Sequence, residues 1–110
     1  MGVTVDVFTW PAVVVAPGAQ VQLIHWIVDG IGSSMIDPDR WCWMSAVPEF
    51  ADVRPDRPVP SATIEIVSQR PVRERKQTPG LNNTNWLATW RNPGDASATF
   101  HPRMLMAPAR

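Results

Sequence analysis

Tyrosine is missing from the 110-residue chain, and cysteine occurs once, as Cys42. A lone cysteine cannot close an intrachain disulfide. It also excludes a zinc site of the multi-cysteine type. Charged residues make up 18% of the chain, below the usual quarter. So little charge leaves the surface short of polar cover, and some exposed apolar area is expected. Neither sign is in excess, with Lys plus Arg at 10 and Asp plus Glu at 10. A dedicated nucleic-acid binder needs surplus positive charge to displace counterions, so that class is disfavoured. Zero net charge also removes a repulsive barrier to self-association. No apolar run approaches the roughly 20 residues that span a bilayer. The opening Met1-Gly2-Val3-Thr4-Val5-Asp6 lacks a basic segment followed by an apolar stretch, so cytoplasmic synthesis without a signal peptide is expected. Asp6 stands where a myristoylation site wants Ser or Thr.

What the chain does hold is 12 prolines and 6 tryptophans. Proline at that density breaks long helices. The apolar residues instead alternate with polar ones at the period of a strand. Val3, Val5 and Val7 alternate with Thr4 and Asp6, and Pro11 ends or bends this first strand. A short run over 12–16 follows, closed by Pro17-Gly18, a strong turn signal. The segment 20–28 carries Val21, Leu23, His25 and Ile27 on one face and Gln22, Ile24, Trp26 and Val28 on the other. Both faces are largely apolar, which predicts a central strand covered on both sides. Asp29-Gly30, Gly32-Ser33-Ser34 and Asp37-Pro38-Asp39 then read as loop.

The wholly apolar stretch 41–44 puts Trp41 and Trp43 on one side and Cys42 and Met44 on the other. Residues 47–60, with Pro48, Pro55, Pro58 and Pro60, read as an extended, polyproline-like segment. In 61–69, Ala62, Ile64 and Ile66 are expected to face in, with Thr63, Glu65 and Val67 outward. Residues 70–85 hold Arg70, Arg73, Arg75 and Lys76 and read as a long hairpin loop. A strand over 85–92 points Trp86, Ala88 and Trp90 inward. Asn92-Pro93-Gly94-Asp95 reads as a hairpin turn, after which Ala96, Ala98 and Phe100 return on the core side. Met104, Leu105 and Met106 make a last short strand.

The length fits a single domain over 1–110. Its six to eight short strands with Pro and Gly punctuation predict an all-β fold, a small antiparallel β-sandwich of immunoglobulin-like type. The strand, turn and returning strand around Asn92-Pro93-Gly94-Asp95 resemble the last hairpin of bacterial immunoglobulin-like modules. That resemblance covers only the end of the chain and implies a fold, not a function.

Chemistry-bearing constellations are sparse. Cys42 with His25 or His101 lacks an orienting third group, and a thiol between two tryptophans reads as buried and inert. Asp37, Asp39, Asp52 and Asp56 lack the acidic and glycine spacing of a calcium loop. Glu74 interrupts the basic cluster Arg70, Arg73, Arg75 and Lys76, and no aromatic rings interleave with it for stacking. The chain is therefore expected to be no enzyme, with neither cofactor nor metal. Trp86, Trp90 and Trp26 read as core, whereas Trp10, Trp41 and Trp43 are candidates for an interface or a ligand platform. The excess of apolar faces adds Leu23, His25 and Met44 to that candidate surface. The leading expectation is a structural or interaction module that assembles as a homo-oligomer or docks on a protein partner. The alternative is a lectin-like module stacking carbohydrate on exposed tryptophans.

Overall fold

Among the described residues seven antiparallel strands form two packed sheets, as the alternating pattern predicts. The computed structural model describes residues 5–28, 30–48, 63–73 and 79–108. The strands are β1 (Asp6–Thr9), β2 (Val13–Val15), β3 (Gln20–His25), β4 (Trp41–Pro48), β5 (Glu65–Arg73), β6 (Thr84–Arg91) and β7 (Ala98–Ala107). In the first sheet β7 is central, with β1 and β2 along one side and β4 along the other. In the second, β6 is central between β3 and β5. Among the described residues no helix is long and apolar enough to cross a membrane.

Proline decides where the first strand breaks. Pro102 lies in the middle of central strand β7, a position proline rarely tolerates because it has no N–H to give the ladder. Trp10 donates its N–H to the Pro102 carbonyl at 2.9 Å, but Pro102 cannot return the bond. The His101 ring supplies the missing donor, with Nδ1–H on the Trp10 carbonyl at 3.0 Å. Beyond this point the register shifts by one residue: Thr9 opposes Arg103 while Val13 opposes Phe100. Pro11 occupies the resulting bulge, so β1 and β2 are one strand split opposite Pro102.

The core lies between the sheets. Trp90 and Phe100 meet across it at 4.7 Å between ring centroids, and Met44, Met104, Met106, Val15 and Ala88 fill the space around them. Ile36, fully buried, joins this core from the segment 30–40. Side chains stitch both open sides of the sandwich. Gln69 on β5 accepts the Met44 N–H at 2.8 Å and donates to the Met44 carbonyl at 3.2 Å, tying the edge of one sheet to that of the other. The Trp86 indole N–H also donates to Gln69, at 3.1 Å. On the opposite side the Trp10 ring packs against His25, and its indole N–H donates to the Trp26 carbonyl at 3.1 Å.

Four expectations need correction. The turn at Asn92-Pro93-Gly94-Asp95 does not join a hairpin, because β6 and β7 lie in different sheets. It is an arch pinned by the fully buried Asn92, whose amide donates to the Val15 carbonyl at 3.0 Å and the Ala96 carbonyl at 2.7 Å. Asn92 Oδ1 accepts from the Gly94 N–H at 2.9 Å, and its carbonyl accepts from the N–H of Gly18, whose φ of 71° is a backbone state that favours glycine. Secondly, β3 is an edge strand of a three-stranded sheet, not a central strand covered on both faces. Thirdly, β5 runs on to Arg73 and β6 starts at Thr84, so both ends of the expected loop over 70–85 are strand. Fourthly, β7 passes straight through Pro102, making one ten-residue strand of what reads as two pieces. Val3, Asp52, Asp56, Ala62, Glu74, Arg75, Lys76 and the proline-rich stretch beyond Pro48 lie outside the described residues.

Candidate functional site

The register of the first sheet aligns its outward side chains into rows. Trp43, Leu105 and Val7 form one row across β4, β7 and β1. Trp41 and Ala107 begin the next, with Val5 just ahead of β1 at its far end. Trp41 is 59% exposed and Trp43 50%, and Val5 and Val7 are similarly open. The two indole rings lie nearly parallel, 15° apart with centroids at 6.2 Å. The third row, Ser45, Arg103 and Thr9, is polar, and Arg103 donates to the Thr9 hydroxyl at 3.4 Å. An apolar patch centred on two aromatic rings and flanked by polar side chains has the layout of a docking surface.

This face exists because β4 sorts its residues by parity. Cys42, Met44 and Ala46 are compact or flexible and turn inward, where the core is tightly filled. Trp41, Trp43 and Ser45 are left on the outside. Arg40 anchors the start of the strand, bonding Asp6 at 2.6 Å and the Met106 carbonyl at 3.0 Å.

Of the candidates named from sequence, Trp41 and Trp43 come together on this outer face. The other four do not join them. Met44 is fully buried and His25 is 5% exposed, so neither reaches a partner. Leu23 packs against the core from the inner side of β3. The parity of β3 explains this: Gln20 and Gln22 mark the water side, which sends Val21, Leu23 and His25 inward. Trp10 is half-buried between the sheet edges and acts as a structural tie.

The same parity turns Ile24, Trp26 and Val28 outward, each at least half exposed. Trp26 was expected in the core from its apolar neighbours. The two glutamines before it were the available signal that this side of the strand faces water.

His25 is a buried ring-nitrogen acceptor. The Trp90 indole N–H donates to His25 Nε2 at 3.2 Å, which fixes the neutral ring with its proton on Nδ1. Trp10 and Trp90 flank the ring. Desolvation by burial lowers the His25 pKa from 6.5 to about 4. Cys42 donates to the Asp37 carbonyl at 3.2 Å. Its thiol pKa is raised by burial first and by the Asp37 carboxylate second, with Arg40 opposing, so it is poorly disposed to act as a nucleophile. Among the described residues no cluster of three or more His, Cys, Asp or Glu could hold a metal ion. An open depression beside Arg73 and Asn82 offers little, since the Asn82 amide is committed to the Ser34 and Ile36 carbonyls.

Comparison with known protein families, curated proteins and solved structures gives no match. The functional reading therefore rests on the geometry.

Proposed function

We propose that this protein is a non-enzymatic interaction module that assembles through the outer face of the first sheet. The observation that carries this reading is the Trp41–Trp43 pair, near-parallel and half exposed beside Val7 and Leu105 on an aligned sheet face. Half-exposed tryptophans are costly to leave in water, and rings of this kind anchor interfaces when a partner desolvates them. Light scattering on the wild type and on Trp43→Asp tests it. The wild type is expected above the 12.2 kDa chain mass and the variant at that mass. A variant with undiminished assembly would remove this face from the proposal.

The strand layout supports an immunoglobulin-like reading of the sandwich. The order β3-β6-β5 matches that of strands B, E and D, and β4-β7 matches C and F, with β1 and β2 in the place of G.

A second reading takes the same two rings as a carbohydrate platform. It is favoured by their near-parallel planes and by Ser45 and Arg103 in the adjoining row. Sugar binding would quench or blue-shift tryptophan fluorescence, and a glycan array without hits would refute it.

A further inference from the structure

The outer face of the second sheet carries an apolar stripe of its own. Ile24, Trp26 and Val28 are 50%, 59% and 52% exposed along β3 and its continuation, and the partly buried Leu87 lies beside Ile24 on β6. This stripe and the Trp41–Trp43 patch sit on opposite sides of the sandwich, because the sheets pack through their inner faces. Two unlike patches on opposite faces constrain how copies can meet. A two-fold contact buries one patch against itself and leaves the other in water. A head-to-tail contact, in which one copy's first sheet covers the next copy's second sheet, buries both.

Area supports a match of patch to patch. A buried aromatic side chain contributes about 150–250 Å², so a half-exposed tryptophan offers on the order of 100 Å². Trp41, Trp43, Val5 and Val7 together with Trp26, Ile24 and Val28 then place roughly 600 Å² of apolar area into one contact. A standard interface buries about 1,600 Å² in total, a little over half of it apolar. One patch meeting a polar surface supplies well under half of that apolar share and patch on patch supplies most of it; of the patch-on-patch contacts, the head-to-tail one covers both faces with a single kind of interface.

We infer that copies of this chain associate head to tail, the Trp41–Trp43 face of one on the Ile24–Trp26–Val28 face of the next. The inference rests on the proposed docking role of the first sheet's outer face. Such an interface is heterologous, so it propagates into a ring or a filament rather than stopping at a dimer.

Complementation tests it. Trp43→Glu blocks one face and Trp26→Glu the other, and both side chains are at least half exposed, so the fold is not expected to suffer. Native mass spectrometry on each variant alone should find monomers of about 12.2 kDa. An equimolar mixture should give a 1:1 heterodimer that grows no further with concentration, because it joins the one intact face of each. Val7→Lys with Val28→Lys should repeat the result at valine positions and with the opposite charge, and circular dichroism checks that every variant is folded. If Trp26→Glu alone keeps the wild-type assembly while Trp43→Glu loses it, head-to-tail pairing is overturned and the docking role of the first sheet stands. Two monomeric variants that stay monomeric when mixed also overturn it. A wild type that is monomeric throughout overturns both.

Discussion

Acid is expected to destabilise the fold through His25, and the size of the effect follows from its surroundings. The ring is buried between Trp10 and Trp90, and its Nε2 accepts the Trp90 indole N–H. A proton on Nε2 would turn that acceptor into a donor facing another donor. The folded protein therefore resists protonation down to about pH 4, whereas the unfolded chain takes up the proton near 6.5. Between those values the unfolded state binds more protons, so stability falls as pH falls. The His25 contribution is fully present above about pH 6.5 and is lost by about pH 4. At about 1.4 kcal/mol per pKa unit, the loss is roughly 3 kcal/mol, a large part of the 5–15 kcal/mol typical of a domain. Urea unfolding of the wild type and of His25→Gln from pH 7.5 to pH 4 measures it. Glutamine can still accept from Trp90 but does not titrate, and the carboxylates act alike in both proteins. The difference in unfolding free energy between the two should be flat above pH 6.5 and change by roughly 3 kcal/mol by pH 4. A pH-independent difference would refute the reasoning, since it would mean that His25 binds protons equally in both states.

Three further outcomes follow from the same contacts. Asn92→Ala removes two amide donors and the acceptor for Gly94 at a buried arch, and at about 1 kcal/mol per bond should cost roughly 3 kcal/mol in a urea titration; a loss below about 0.5 kcal/mol would deny it this role. Gln69→Ala should cost roughly 2 kcal/mol and sharply increase hydrogen exchange at the Met44 amide, while exchange in β3 remains near wild type. Cys42 should react with a neutral disulfide reagent at pH 8 at least about tenfold more slowly than an unstructured thiol and reach the free rate in urea; a fast native reaction would contradict its raised pKa.

The sandwich was legible because apolar and polar residues alternate with few interruptions. The core positions of β6 follow directly, since Trp86, Ala88 and Trp90 share one parity and all three are buried. Trp41 and Trp43 were legible as a same-side pair for the same reason. What escaped was the assignment of sides. In the segment 20–28 only Gln20 and Gln22 mark the water side, and the apolar residues on both parities outweigh them, which is why Leu23 and His25 read as surface candidates although both point inward. Sheet membership escaped as well. The Asn92-Pro93-Gly94-Asp95 turn has hairpin chemistry, yet the bonds that make it an arch reach residues far away in sequence, such as Val15. The proposed docking face depends on long-range register too, because nothing local connects Val7, Trp43 and Leu105 before β1, β4 and β7 are paired.

Sedimentation equilibrium of the wild-type chain over a wide concentration range tests the central claim most directly, because it asks whether the Trp41–Trp43 face is covered in solution. The account predicts a weight-average mass that rises with concentration above 12.2 kDa. A mass that stays at 12.2 kDa up to high concentration would contradict it.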